Sequence, residues 1–151
     1  MEPFDHLLES LRRSRAFFWK HADRFEGDAW DYRLAPSLKS ARETLQHLLV
    51  DDRAALFALR TGEEPDYDAL GPAEADPAAL KEMLQSSHAE LLTELLLCRD
   101  RATLNVWGTE KPLLEGIAWF SSEDFYHAGQ LAAMLVALRP DWDYYADIYG
   151  E

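Results

Sequence analysis

The sequence predicts an all-α protein, an antiparallel four-helix bundle, on three observations. Proline and glycine fall in clusters, the segments between them repeat apolar residues every three or four positions, and no stretch sustains the apolar–polar alternation of a half-buried strand. A chain of 151 residues, 48% hydrophobic and 12% aromatic, has the apolar mass for one core, so residues 1–151 are expected to form a single domain.

Each helix has its own evidence. Phe4, Leu8, Leu11, Phe18, Ala22 and Phe25 form one stripe, which gives a first helix from Pro3 to Phe25, ended by Glu26-Gly27-Asp28. After a linker through Trp30 and Pro36, Ser40 and Glu43 read as a capping box that opens a second helix, running to Arg60 and closed by Gly62. A loop with Pro65, Gly71 and Pro72 leads to Asp76-Pro77, an N-cap followed by proline at the first helical position. The third helix carries Leu80, Leu84, Leu91, Leu95 and Cys98 and fades near Arg101. Gly108 and Pro112 precede a fourth helix from Leu113 to Leu138, stopped by Pro140, and the tail Trp142-Asp143-Tyr144-Tyr145 is expected to form a packing turn.

Charge narrows the function. There are 28 Asp and Glu against 15 Lys and Arg, a formal net charge of −13, and the bases are scattered. A nucleic-acid surface needs clustered bases, and an anionic membrane repels such a chain, so neither is an expected partner. The first residues lack a basic, apolar leader and no apolar run has the length of a bilayer span, which points to a soluble cytoplasmic protein. Cys98, the single cysteine, lies among leucines and reads as a small buried hydrophobe.

The fourth helix holds the chemistry. Leu113, Gly116, Phe120, Glu123, His127, Gln130, Met134 and Leu138 share one face, so an apolar stripe has a polar centre. Burying those groups without partners costs several kcal/mol, and a metal ion is one partner that Glu123 and His127, four residues apart, can hold together. The same spacing also describes an ordinary surface pair, so a third ligand is needed. His6 reads as solvated and His21 as a hydrogen-bonded core residue; His88, on the leucine side of the third helix, is a reserve ligand. His47 is the better candidate, on a second helix that is apolar on two faces, although periodicity does not say which face meets the fourth helix.

Leu45-Gln46-His47-Leu48 with Asp51, followed by Tyr126-His127-Ala128-Gly129-Gln130-Leu131, resembles the DinB/YfiT-like superfamily of bacterial metalloenzymes. The resemblance implies a four-helix bundle holding a divalent metal (Zn, Ni, Mn or Fe) on a histidine of the second helix and a His-x-x-x-His pair of the fourth. Matched position by position, His47 stands at the first family ligand and His127 at the third, Glu123 replaces the histidine between them, and Ala128 replaces an arginine expected beside the ligands or on the surface. Asp124 is an alternative carboxylate if the helix is rotated. Two histidines and one carboxylate form a ligand set that catalytic zinc and non-haem iron sites use. The family implies a thiol-dependent transferase, and a hydrolase is also considered; the small-molecule substrate is unidentified and a homodimer is expected. The alternative is a non-catalytic bundle, a dimer or scaffold, whose metal site has degenerated. Ferritin-like di-metal chemistry is disfavoured, because its Glu-x-x-His spacing is one residue tighter than Glu43/His47 and Glu123/His127.

Overall fold

The computed structural model describes residues 1–72 and 75–150. Four long helices form a bundle: α1 (Pro3–Ala22), α2 (Ala41–Thr61), α3 (Pro77–Leu97) and α4 (Leu113–Leu138). A short α5 (Tyr144–Tyr149) closes the described chain, and 3₁₀ turns at Gly27–Asp31 and Tyr67–Ala69 lie in the two long connections.

Local chemistry sets the helix ends. The Ser40 hydroxyl accepts from the Glu43 amide while the Glu43 carboxylate accepts from the Ser40 amide, the reciprocal pair of a capping box. Gly62 ends α2 at φ 75°, a left-handed conformation in which glycine carries no Cβ penalty. The Asp76 carboxylate caps α3, with proline after it. The first helix stops at Ala22 rather than Phe25, and the chain turns over Asp23–Phe25, yet Phe25 is buried as the stripe requires.

Two apolar clusters fix the helix directions. The first gathers Phe4, Leu8 and Leu11 of α1, Leu56 and Leu59 of α2, Leu91 and Leu95 of α3, and Ile117 and Phe120 of α4. The second gathers Phe18 and Ala22, Leu45 and Leu48, Leu80 and Leu84, and Leu131 and Leu135. Thus α1 and α4 run from the first cluster to the second, and α2 and α3 run back. Surface ion pairs agree: Arg60 near the end of α2 meets Glu90 and Glu94 late in α3, and Arg99 after α3 meets Asp5 at the start of α1. The two pairs are antiparallel to each other, with parallel partners inside each pair. The connection over 62–76 makes this possible, since a stretch of that length reaches about 50 Å and α2 is about 31 Å long.

One element departs from the expectation that no strand forms. Thr103–Val106 (β1) pairs antiparallel with Thr109–Pro112 (β2). Trp107 and Gly108, at φ 48° and 82°, make the two-residue turn with both residues in the positive-φ region, as a type I′ hairpin needs. Four residues are too short to reveal a period, although Leu104 and Val106 are buried and Thr103 is exposed. The hairpin lies against α4 at Gly116, where a Cβ would stand 3.1 Å from Val106. The tail likewise forms α5, capped by Asp143 and pinned by buried Ile148. No described helix is long and apolar enough to cross a membrane.

Candidate metal centre

Helices α2 and α4 bring His47, Glu123 and His127 together, with one potential ligand atom from each lying within 4.8 Å of the others. His127 Nε2 is 3.3 Å from Glu123 Oε2, His47 Nε2 is 3.9 Å from the same oxygen, and the two imidazoles meet edge to face at 4.9 Å. Four-coordinate zinc needs ligand atoms about 3.4 Å apart, so His47 has to close on Glu123 by about half an ångström, and on His127 by up to about 1.4 Å.

The hydrogen bonds set the direction of the lone pairs. Gln130 Oε1 lies 2.7 Å from His127 Nδ1. An amide oxygen only accepts, so Nδ1 carries a proton and Nε2 is the nitrogen turned toward the site. That Nε2 is buried and has no hydrogen-bond partner among the described residues. A lone pair facing a carboxylate oxygen at this distance calls for positive charge between them, a proton or a metal cation. The approach of His127, and then of His47, draws the Glu123 carboxyl down to about 2 despite partial burial.

Sequence reasoning assigned no role to Asp51, which stands four residues after His47. Its Oδ2 is 3.1 Å from His47 Nε2. Burial pushes this carboxyl up to about 6, the neighbouring His47 opposing and Glu123 reinforcing the rise. Asp51 and Glu123 together carry two negative charges, which one divalent ion balances.

Asp124 is not an alternative ligand. It is fully buried on the other side of α4, where Arg15 Nε donates to Oδ1 at 2.9 Å and the Ser14 hydroxyl to Oδ2 at 3.1 Å. The same guanidinium grips Asp52 through Nη1 and Nη2 at 3.0 and 2.9 Å, and the Ser87 hydroxyl donates to Asp52 Oδ2 at 2.6 Å. One polar knot thus joins all four long helices. Burial raises the Asp124 carboxyl to about 6, with Arg15 pulling the other way. In sequence Asp124 adjoins Glu123 of the metal cluster, and Asp52 adjoins Asp51, whose carboxylate touches His47. The knot therefore fixes the rotation of α2 and α4 that turns His47 and Glu123 toward each other.

His88 stands outside the metal cluster as well. Its Nδ1 is buried without a partner among the described residues, and burial, with nearby Arg15, lowers its pKa to about 4. The remaining expectations about histidines and cysteine hold. His21 meets the Phe17 carbonyl and the Tyr144 hydroxyl at 2.9 and 3.1 Å, His6 is exposed, and Cys98 is buried with its thiol pKa raised by burial. Ala128 lies in the second apolar cluster, not on the surface, and an arginine there would need a buried partner of its own.

Two cavities flank the centre and share Lys39. One, of about 410 Å³, is bordered by His47, Gln46 and Val50; the other, of about 290 Å³, by Gln130, Tyr126 and Leu38. The arrangement is that of a helical-bundle protein with a histidine–carboxylate cluster between facing helices. A family model described as the DinB superfamily matches residues 10–131, and the chain belongs to that superfamily. No curated protein is similar enough in sequence to match it.

Proposed function

We propose that this chain is a metal-dependent enzyme in which His47, Glu123 and His127 hold one divalent ion. The orphaned Nε2 of His127, aimed at Glu123 by the Gln130 hydrogen bond, is the observation that carries the reading. Two neutral imidazoles and one carboxylate suit Zn, Ni, Mn or Fe(II), and three protein ligands leave coordination positions open for water or substrate. A metal so held acts as a Lewis acid and lowers the pKa of a bound thiol or water.

The rest of the site supports such chemistry. Asp51 Oδ2 stands 3.1 Å from His47 Nε2, and were that nitrogen to hold an ion, this carboxylate would be left at the edge of the site as a proton acceptor. The flanking cavities combine apolar walls at Leu38 and Met134 with the Lys39 ammonium and, on the His47 side, the Glu43 carboxylate, a lining that suits a small substrate with an apolar part and a polar group. Within this class a thiol-dependent transferase is our first reading and a hydrolase our second.

A non-catalytic bundle draws on the 3.1 Å contact between His47 and Asp51, which engages the histidine without any metal. Thermal denaturation of chelator-treated protein separates the two. Added Zn, Ni or Mn at about 100 times Kd stabilises a specific site by about 2.7 kcal/mol, or roughly 5–10 °C in a chain of this size. The shift should vanish in His127→Ala and His47→Ala. Absence of any shift in the wild type supports the degenerate site.

A further inference from the structure

Helices α2 and α3 enclose a cleft that lies apart from the metal centre. Arg53, on its α2 side, projects about 120° around the helix from His47. The connection over 62–76 separates the two sides: Leu70 borders this cleft, while Gly71 and Pro72 border the cavity beside His47. The volume of the cleft, about 380 Å³, is at the small end of the roughly 300–1,000 Å³ of small-molecule sites. Leu56, Phe57, Leu70 and Met83 make its apolar walls, and Phe57 is 37% exposed.

Two guanidiniums also line the cleft, and their situations differ. Arg60 is committed to carboxylates, to Glu90 at 3.2 Å and to Glu94 at 2.7 Å. Arg53 donates through Nη1 to the Leu70 carbonyl at 2.7 Å and meets the Met83 sulfur through Nη2 at 3.7 Å, with no carboxylate partner among the described residues. Although acids outnumber bases by 28 to 15 in this chain, neither partner of Arg53 carries charge. These contacts also use only part of the donor fork of a guanidinium.

We propose that this cleft is a second ligand site, for a small monocarboxylate with an aliphatic chain. The carboxylate supplies Arg53 with the charge-assisted hydrogen bonds that a carbonyl and a thioether do not, and the aliphatic chain covers the apolar walls. A multiply charged phosphate fits less well, because Arg53 is the one uncommitted cation of the lining and the Glu90 carboxylate borders the same space. The site binds rather than reacts. The buried Ser87 hydroxyl donates to Asp52 at 2.6 Å and the Thr61 hydroxyl to the Phe57 carbonyl at 2.8 Å, while Glu90 is engaged by Arg60. No base among the described lining residues is therefore left to activate a hydroxyl. The proposal does not depend on the metal reading and can fail or hold independently of it.

Calorimetric titration of the chelator-treated full chain with sodium octanoate tests the proposal. Saturable binding at one site per chain is expected, with Kd at or below about 1 mM. Arg53→Gln should raise Kd at least about 10-fold with the helical circular dichroism unchanged. Ser86→Trp, which fills the cleft from its exposed wall, should do the same. Octan-1-ol, which has the chain without the charge, should bind at least about 10-fold more weakly than octanoate to the wild type. Lys39→Gln, beside the metal centre, should leave Kd unchanged. Absence of saturable binding to the wild type up to about 10 mM octanoate would overturn the proposal. So would binding that Arg53→Gln leaves intact, octan-1-ol binding as tight as octanoate, or binding abolished by Lys39→Gln, which assigns the carboxylate to the cavities beside the metal centre.

Discussion

Arg15→Leu probes the polar knot. The substitution keeps most of the side-chain volume and removes three hydrogen bonds, one to Asp124 and two to Asp52. Both carboxylates are at most 4% exposed and would keep only the hydroxyls of Ser14 and Ser87. Removing one member of a buried ionic cluster costs about 3–5 kcal/mol, a large share of the roughly 5–15 kcal/mol that holds a domain folded. With a urea m-value of about 2 kcal/mol/M, the unfolding midpoint at pH 7 should fall by roughly 2 M. Without the guanidinium, which holds the buried Asp124 carboxyl down against its burial, that carboxyl takes up its proton at higher pH than in the wild type. The deficit should therefore shrink by at least about 1 kcal/mol between pH 7 and pH 5. Urea titrations of both proteins at the two pH values decide the matter. A loss under about 1 kcal/mol at pH 7, or an equal loss at both pH values, would refute the view that Arg15 neutralises buried charge.

Three further substitutions separate the roles assigned to neighbouring residues. The Asp51 carboxyl, at about 6 in the fold against 3.8 unfolded, stabilises metal-free protein below about pH 4 and loses that contribution as the pH rises through 6. Asp51→Asn should accordingly gain on the wild type by up to about 3 kcal/mol between pH 4 and pH 7 in thermal denaturation, and a flat difference would contradict the shift. Gln130→Leu removes the acceptor that directs His127; calorimetric titration should find metal affinity reduced 10- to 100-fold, with metal-free stability altered by less than about 1 kcal/mol. His88→Leu replaces a buried, unpartnered nitrogen, so stability should hold or rise by about 1 kcal/mol and metal affinity should not move, as calorimetry and urea unfolding can check.

Helix positions and caps were legible in the sequence because each depends on residues close together: the Ser40–Glu43 box, the Asp76-Pro77 start and the stripe from Phe4 to Phe25. The parallel course of α2 and α3 was not, since it depends on where the 62–76 connection leads rather than on the period of either helix. Glu123 and His127 were readable as polar residues in the apolar stripe of α4. The same signal was present and passed over elsewhere: Arg15 sits in register with Leu11 and Phe18, and Asp52 with Leu48 and Leu56. A charge embedded in an apolar stripe on each of two further helices foretells a buried knot, because each needs a partner. Asp51 was visible only as the i+4 neighbour of His47, and its proximity to Glu123 depends on how α2 and α4 are rotated, which that knot sets.

The central claim, one divalent ion held by His47, Glu123 and His127, is tested most directly by elemental analysis of protein purified without chelators or nickel resin. Wild-type protein should carry about one equivalent of a single divalent metal per chain. Glu123→Ala, while retaining wild-type helical circular dichroism, should retain little or none. Wild-type protein that carries no metal and takes up none on dialysis against Zn, Ni, Mn or Fe(II) would contradict it.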